Sequence, residues 1–385
     1  MIYFSQLFLK GHMREKDMKN GYYIHFDGRQ SVGVAKKIDM QMEELGHYFS
    51  IKEVDVKTVP RTFTERVVGL LPWKSISRDY AGALEELEQP DFLYVRRTVA
   101  DQEYVEFWKN IKQRFPGCKI IVEIYTYPYD KDDFWKWNAW PFYFKEKIYR
   151  PQLKKYLDRF VTYTKDSEIF GINTICTTNG IVCEKVKRIK GEYEDKRIHL
   201  LGVAYMQRQH GYERIIEGLG QYYKKGNKNY QVYLKLVGDG PEKKKYQRLV
   251  HKYHLENYVD FYPTTSGQEL DELYDWADIA LAAFGMYKVN YHEAIGALKT
   301  RECLAKGIPI LSGSPIDILP SDFPYAKIFK NDRKAINIEE VIAFFETMKR
   351  EGKSKEKIAD SLRTYAQQHA SMQAVMKPVV DYIEI

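Results

Sequence analysis

The sequence contains no hydrophobic run that is long enough to cross a lipid bilayer. The opening residues, MIYFSQLFLKGHMREK, include only a short apolar run, and no later run approaches about 18 residues. The opening also lacks the charged region and the small-residue cleavage site of a secretory signal. These absences predict a cytoplasmic protein that is soluble or peripherally bound to a membrane.

Cysteine is scarce, and low-complexity tracts are missing. The four cysteines, Cys118, Cys176, Cys183 and Cys303, form no CxxC pair, which argues against a disulfide framework or a structural zinc site. The 31 Tyr and 19 Phe are spread along the chain, so extended disorder is not expected. The net charge of +7 is modest for 385 residues and predicts no nucleic-acid partner.

What the sequence does contain is an alternation of β-rich runs and helical periodicity. A length of 385 residues with 44% hydrophobic content predicts two domains with separate cores. The alternation predicts α/β domains with parallel sheets. The predicted strands are 2–8, 92–95, 118–124, 160–163 and 172–181 in the first half, and 198–204, 231–237, 258–262 and 278–283 in the second.

Several segments connect or end these domains. Residues 9–30 are rich in Lys, Gly and Asp and are predicted to form a long loop. The charged residues after Asn179-Gly180 predict an exposed interdomain connection. The last 25 residues predict a helix, a break at Pro378 and a short terminal turn.

The stretch IGALKTRECLAKGIPILSG, residues 295–313, joins a helix to a buried strand. Its pattern predicts a helix over 298–306 that ends at Gly307, with Pro309 preventing its continuation. The free N–H groups at the helix start and the charge of Lys299 suit a diphosphate. The alternative is an i,i+3 ion pair between Lys299 and Glu302 on a solvated face, which spacing alone favours.

The order of these motifs resembles a known family. The segments that carry the resemblance are Asn179-Gly180-Ile181, GVAYMQRQHGYERIIEGL, LVGDGPEKKKY, ELYDWADIAL and GALKTRECLAKGIPI, with GVAKKIDMQMEELG and EIYTYPYDKD in the first half. Together they resemble the retaining nucleotide-sugar glycosyltransferases of GT-B fold, in the large family-4 group (group 1) that includes bacterial capsule and exopolysaccharide enzymes.

The resemblance implies a domain plan. It implies an acceptor-binding Rossmann-like domain over residues 1–180, a connection over 181–197, and a donor-binding Rossmann-like domain over 198–360. The two domains would face a cleft, and a C-terminal helix over 361–385 would cross back to the first domain.

The resemblance also implies an activity. It implies transfer of a hexosyl group from a nucleotide-diphosphate sugar, with a UDP-sugar favoured, to a glycan or polyprenyl-diphosphate-linked acceptor. Retaining members are thought to use front-face attack, in which a donor phosphate oxygen accepts the acceptor proton. No metal or other cofactor is expected. Two alternatives stay open: a catalytically silent GT-B accessory or binding subunit, and a nucleotide-sugar epimerase of the same fold.

Carried over position by position, the resemblance assigns donor-binding roles. Glu302 would bind the ribose, Lys299 would assist at the diphosphate, and Arg208 and His210 are the nearest substitutes for the cations that many members carry. Glu293 would contact the sugar or lie on the surface, since it is one residue out of register. Backbone positions complete this set: Gly296, Ala297 and Leu298 at the diphosphate, and Gly238 and Gly240 in the GxGP turn.

Four features of the first half are candidates for other contacts. Glu123, at a strand end, would contact acceptor or sugar, or would be a carboxylate bonded to nearby amides. Gly33 and Lys36 would lie near an acceptor or a phosphate. Asp130-Lys131-Asp132 imitates a metal-binding DxD motif and is interpreted as a solvated turn. The aromatic and basic residues of 133–156 predict either a membrane interface or a core helix with snorkelling lysines, the second being favoured.

Overall fold

A computed structural model describes residues 18–29, 32–60, 62–71, 73–124, 127–128, 140–226, 229–350 and 353–385. These residues divide into two compact units. Unit 1 comprises the described residues of Met1–Thr178 together with Val375–Ile385, and unit 2 comprises Asn179–Ala374.

Unit 1 is built on a seven-stranded sheet in the described part of the chain. The strand order is β2-β1-β3-β4-β5-β7-β6, and all neighbours are parallel except β6 and β7. The strands are β1 (Asn20–His25), β2 (Ser50–Asp55), β3 (Phe92–Arg96), β4 (Lys119–Ile124), β5 (Arg159–Thr162), β6 (Glu168–Ile169) and β7 (Ile172–Cys176). The helices before the interunit boundary are α1 (Val32–Gly46), α2 (Phe63–Val68), α3 (Tyr80–Glu85), α4 (Gln102–Arg114) and α5 (Trp140–Tyr149), followed by a 3-10 segment, Arg150–Lys155.

The first described strand corrects a prediction. Residues up to Gln30 were expected to form a loop, but β1 lies inside this segment, with Tyr22, Tyr23 and Ile24 buried. Gly21 lies within this strand, and a Cβ there would lie 2.1 Å from the Phe92 ring, so packing requires glycine at this position. The strand predicted over 2–8 lies outside the described residues.

Unit 2 has a six-stranded parallel sheet in its described residues, with order β10-β9-β8-β11-β12-β13. The strands are β8 (Arg197–Val203), β9 (Gln231–Val237), β10 (Val259–Tyr262), β11 (Ile279–Leu281), β12 (Ile310–Ser312) and β13 (Ala326–Ile328). The helices are α6 (Glu213–Lys224), α7 (Lys243–Lys252), α8 (Gly267–Trp276), α9 (Leu298–Lys306), α10 (Ile338–Lys349) and α11 (Lys355–His369). Near-continuous buried strands such as β8 and β11 are typical of sheets covered on both faces.

Helix α9 has the bounds that the sequence predicts. It runs over Leu298–Lys306 and ends at Gly307, whose φ of 81° is left-handed. A side chain at position 307 would also collide with Ala359 of α11, so both conformation and packing require glycine there.

The C-terminal break lies elsewhere than predicted. Pro378 is inside the last helix, α12 (Met372–Glu384), and the chain breaks at Ala370 and Ser371 instead. The Ser371 hydroxyl accepts a hydrogen bond from the amide of Ala374 at 3.1 Å, so this serine begins the new helix. The first residues of α12 belong to unit 2, and the rest, from Val375, belongs to unit 1.

The described helices include none that is both long enough and apolar enough to cross a membrane. In each unit the parallel strands share one carboxyl edge, which is where loops of α/β sheets form ligand sites.

Candidate functional site

The carboxyl edge of the unit 2 sheet gathers the loops that contain most of the predicted donor-binding residues. The loop after β8 includes a 3-10 turn, Arg208–His210, and the loop after β9 contains Gly238 and Gly240. The long loop after β11 leads into α9, and Gly313 follows β12. Sequence motifs separated by about a hundred residues are therefore neighbours at this edge.

Two of these loops pack backbone to backbone. The amides of Phe284 and Gly285 donate to the carbonyls of His210 and Gln209, at 2.8 and 3.0 Å. A Cβ added to Gly211, whose φ is 61°, would lie 2.4 Å from the amide nitrogen of Gly285. These hydrogen bonds hold the two loops in contact. The close packing leaves no room for a side chain at Gly211 or Gly285.

Gly238 and Gly240 have a structural requirement of the same kind. Their φ angles are 122° and 138°, and added Cβ atoms would lie 2.1 Å from the Ala204 carbonyl oxygen and 2.5 Å from the Met206 amide. The turn after β9 is thus closely packed against the loop after β8.

The entry to α9 is fixed by a buried arginine. Arg301 is completely buried, and its Nη2 atom lies 2.6 Å from both carboxylate oxygens of Asp317. Its Nε donates to the carbonyl of Asn179 at 3.0 Å, and the Asn179 side chain donates to the carbonyl of Gly296 at 2.7 Å. These contacts hold residues 295–297 in place before the helix begins.

The first turn of α9 is open to an anion. Ala297 caps the helix with extended backbone and provides no side-chain hydrogen bond, and the first turn contains no acidic residue. The amides of this turn therefore carry the positive end of the helix dipole, and no acidic side chain of the turn itself neutralises it.

Lys299 and Glu302 do not form the predicted surface ion pair. Lys299 donates from Nζ to the hydroxyl of Tyr212 at 3.1 Å, and no ion pair within 4.0 Å joins it to Glu302 among the described residues. Burial lowers the pKa of Lys299 to about 8, although Cys303 and Glu302 act to raise it. A partly buried cation held without a carboxylate partner suits an incoming anionic ligand.

His210 is a neutral hydrogen-bond donor in this structure. Burial and the nearby Lys299 charge lower the pKa of His210 to about 4. Its Nδ1 accepts a hydrogen bond from the amide of Gln207 at 3.0 Å, which leaves the ring proton on Nε2. At neutral pH this histidine can donate to a phosphate oxygen but does not supply a positive charge. Arg208 lies in the same 3-10 turn.

Glu293 is exposed, in the loop that precedes α9. The neighbouring Tyr291 bonds its hydroxyl to the carbonyl of Ala294 at 3.1 Å. The roles predicted for Glu293 stay predictions.

The carboxyl edge of unit 1 contains a second polar cluster, centred on Glu123. This carboxylate is completely buried, and it pairs with Lys37 at 2.7 Å and Arg96 at 3.4 Å. It also accepts hydrogen bonds from Tyr163 and Gln41. Burial acts to raise the pKa of Glu123, but Lys37 and Arg96 hold it below its ordinary value. Glu123 is thus bonded to side chains, one of which is the amide of Gln41, and it orders two cations and a tyrosine. Its predicted contact with an acceptor or a sugar stays a prediction.

Gly33 and Lys36 lie in the first turns of α1 and are exposed, and a Cβ at Gly33 would meet open space. Lys37, one residue on, is the lysine that points into the Glu123 cluster.

Helix α5 does not fit a core helix with snorkelling lysines. Lys145 and Glu146 are its buried residues, whereas Trp140, Phe144 and Ile148 are exposed. Residues 133–139 of the segment predicted as an interface, including Trp135, and the Asp130-Lys131-Asp132 motif lie outside the described residues.

Within the described ranges, no group of three or more His, Cys, Asp or Glu side chains is arranged to hold a metal ion. The four cysteines are unpaired, and Cys176 alone among them is exposed.

Comparison with known structures identifies the fold as GT-B. The chain is similar to the sucrose-phosphate synthase of Thermosynechococcus elongatus, with a TM-score of 0.62, 13% identity, and 95% of this chain and 98% of that chain covered. It is similar to the lipopolysaccharide outer core galactosyltransferase WaaB, with a TM-score of 0.56, 12% identity, and 96% and 100% of the two chains covered. It is also similar to an S. aureus TarM variant in complex with fondaparinux, alpha-GlcNAc-glycerol and UDP, with a TM-score of 0.50, 11% identity, and 80% and 58% covered.

The comparison of sequences covers a smaller part of the chain than the comparison of structures. Residues 183–323, all within unit 2, match the family model described as Glycosyl transferases group 1. No curated protein sequence matches the chain. The family match and the GT-B fold together support glycosyl transfer as the general activity.

The structure adds residues that the sequence alone did not assign. Tyr212 holds Lys299, and Arg301 with Asp317 holds the entry to α9. One signal was available: helical spacing puts Arg301 on the same face as Leu304 and Ala305, which marks it as a buried arginine that needs a partner. No comparable signal identifies Tyr212, because its contact with Lys299 joins positions 87 residues apart.

Proposed function

We propose that the protein transfers a hexosyl group from a nucleotide-diphosphate sugar, with UDP as the favoured nucleotide, to a glycan or lipid-linked acceptor with retention of configuration. The observation that carries this proposal is the uncapped first turn of α9, with the partly buried Lys299 beside it. The UDP in that complex is bound to TarM, and it supports the choice of nucleotide here only through the similarity of fold.

The residues would divide the work as follows. The amides of Gly296, Ala297 and Leu298 and the charge of Lys299 would stabilise the diphosphate as the bond to the sugar breaks. His210 would add a neutral donor through Nε2, and Glu302 would accept hydrogen bonds from the ribose hydroxyls. Because these groups offset the charge of the leaving group, we propose a reaction without a bound metal or other cofactor.

Unit 1 would bind the acceptor. Its carboxyl edge presents the exposed Lys36 near the cluster in which Glu123 orders Lys37 and Arg96. A cluster with two cations and one carboxylate has an excess of positive charge, which suits an acceptor that carries phosphate. Polysaccharide biosynthesis, as in capsule or exopolysaccharide assembly, is the process we propose on the strength of the sequence resemblance.

A silent binding protein is the second candidate. Val203 and a neutral His210 stand where many related enzymes carry phosphate-binding cations, so the site has fewer charges than such enzymes use. A protein of this kind would bind a nucleotide sugar and release it unchanged.

The test has two stages. Thermal unfolding is first recorded with UDP, GDP, ADP and their glucose or galactose derivatives, and we expect a UDP compound to raise the midpoint. The stabilising nucleotide sugar is then incubated with and without short glycan acceptors, and the products are identified by mass spectrometry. A glycosylated acceptor supports the proposal, an epimerised sugar or unchanged donor identifies one of the alternatives, and absence of stabilisation by every nucleotide overturns it.

A further inference from the structure

Unit 1 exposes an unusual amount of apolar side chain. Exposed large hydrophobic residues cluster on α2, on the segment that follows it, and on α5. We call this cluster the α2–α5 surface, and its members are Phe63, Val68, Leu70, Leu71, Trp73, Trp140, Phe144 and Ile148. Phe63 is 80% exposed and Trp73 is 60% exposed in the whole chain. A contiguous apolar surface of this kind marks an interaction site.

The orientation of α5 explains why its apolar side faces outward. Lys145 is completely buried and donates to the carbonyls of Leu71 and Lys74, while Glu146 accepts from Arg97 and from the amide of Ala100, each at 2.8 Å. These polar contacts fix the inner side of the helix.

The outer side of α5 is therefore a continuous apolar stripe. Trp140, Phe144 and Ile148 follow at intervals of four residues and are 44%, 46% and 48% exposed. Residues spaced in this way lie above one another on one helix face. The polar residues turn inward and the apolar residues turn outward, which is the reverse of a helix packed on a protein core.

The two segments of the surface are joined in space. The contacts from Lys145 to the carbonyls of residues 71 and 74 hold the segment after α2 against α5. Val59, Leu70 and Phe142 also line one shared cavity of about 520 Å³, a size that lies within the range of ligand pockets.

The charges on α5 and on the segment after α2 indicate the kind of partner. The exposed charged side chains of α5 and of the described residues of 69–76 are Lys147 and Lys74, and both are cationic. Arg78 contributes a further cation to the cavity wall, and its Nε and Nη1 atoms are buried without a hydrogen-bond acceptor among the described residues. Tryptophan, phenylalanine and lysine in one surface are typical of helices that lie at an anionic lipid interface.

We propose that the α2–α5 surface binds the headgroup region of a lipid bilayer that contains anionic phospholipids. The biological role of this binding rests on the proposed function, because membrane binding would bring unit 1 to a lipid-linked acceptor. The binding itself does not depend on donor chemistry.

The experiment is sedimentation of the full chain with vesicles. Vesicles of phosphatidylcholine alone are compared with vesicles in which roughly one-third of the lipid is phosphatidylglycerol, because each lysine near an anionic surface adds attraction. We expect cosedimentation with the anionic vesicles, weakened by salt.

Three variants locate the contact. Phe144→Asp with Ile148→Asp should lower vesicle binding roughly tenfold or more, and Lys74→Gln with Lys147→Gln should lower it by a similar factor. Trp73→Asp, in the other segment, provides an independent test if the α5 variant unfolds. Ile385→Asp is the matched control, since Ile385 is an exposed apolar residue of unit 1 outside the α2–α5 surface.

The outcomes separate the two proposals. Loss of vesicle binding in the surface variants, with the control unchanged, supports the inference. Failure of the parent chain to bind anionic vesicles, equal binding by the variants, or a concentration-dependent dimer that the variants abolish would overturn it. Nucleotide-induced thermal stabilisation, measured in the same variants, reports on the donor site and shows which proposal has failed.

Discussion

Burial brings the ionisation of Lys299 close to neutral pH. Its pKa of about 8 means that the free protein carries this charge below pH 8 and loses it above. We expect kcat/KM to fall about tenfold for each pH unit above 8, because this parameter reports ionisations of the free enzyme. Lys299→Arg should have lower activity without this decline, since arginine stays protonated. A decline that persists in the arginine variant would assign the ionisation to another group.

Glu302 tests the nucleotide assignment. It is half-buried on α9 and makes no ion pair among the described residues, so Glu302→Ala should leave the free energy of unfolding within about 0.5 kcal/mol of the parent. The same change should weaken UDP binding by about 1.5–3 kcal/mol if the carboxylate accepts ribose hydroxyls. Isothermal titration measures this loss. Glu293→Ala is the control, because a sugar contact or a surface residue leaves UDP affinity unchanged.

Glu123 holds a buried network of charged side chains together. Glu123→Gln would leave Lys37 and Arg96 buried without their carboxylate, and we expect a loss of about 3–5 kcal/mol in the free energy of unfolding. The matched control is Glu88→Gln, which removes an exposed pair with Lys52 and should cost about 0–1 kcal/mol. Urea denaturation measures the free energy of unfolding of both variants. Equal stability of the two variants would contradict the buried network.

At the scale of elements, the entry to α9 depends on one carboxylate. Asp317→Asn should destabilise the protein, because Arg301 is buried, and should also weaken nucleotide binding, because residues 295–297 lose their support. Asp271→Asn is a matched control, since Asp271, on α8, pairs with the buried Lys306 at the other end of α9 at 2.6 Å.

Both variants should unfold more easily, and only Asp317→Asn should lose UDP affinity, by roughly tenfold or more for displaced donors. Comparison of thermal midpoints with titration against UDP separates the two effects. Equal loss of UDP affinity in both would show that general destabilisation, and not the loop contact, is responsible.

The elements that the sequence predicts well are those with local signals. Helix α9 and strand β9 have the predicted bounds, since a left-handed glycine ends the one and an apolar run defines the other. Strand β1 is not predicted, because the Lys, Gly and Asp residues around it favour a loop and the packing of Gly21 against the distant Phe92 ring leaves no local pattern. Pro378 was taken as a break although the helix begins at Ser371 through a side-chain cap.

In the candidate site, too, local features could be predicted and long-range contacts could not. The glycines and the start of α9 could be predicted from motifs, because backbone conformation is a local property. The partners of Lys299, Glu123 and Arg301 could not, because each contact joins residues that only the tertiary fold brings together. The outward face of α5 is the less favoured of two predictions for a related reason: aromatic spacing shows a face but does not show which side the core occupies.

At the scale of the whole molecule, the end of α12 stabilises a unit whose other residues lie far away in sequence. Val379 and Ile383 are buried, and Lys19 and Lys119 donate to the carbonyls of Ile383 and Tyr382 at 2.6 and 3.0 Å. We expect deletion of Val375–Ile385 to remove a large part of the stability of unit 1, because each buried apolar side chain contributes about 1.5–3 kcal/mol.

Hydrogen exchange measures this effect unit by unit. Amides of β1 and β4 should lose protection in the truncated chain, whereas those of β8 and β9 should keep it. Equal loss in both units would show that the terminal residues support the whole chain and not unit 1 alone. Ile385→Asp is the control, since that side chain is 95% exposed.

The path of α12 also separates the order of synthesis from the order of folding. Unit 2 has all its residues once the ribosome has made Ala374, whereas unit 1, which is begun first, gains its closing helix only with the segment from Val375 onward. During translation, unit 1 therefore cannot complete its fold until unit 2 has been synthesised, and part of its apolar surface stays exposed for that time. A chaperone that binds nascent chains would therefore meet unit 1 for longer than its position in the sequence suggests.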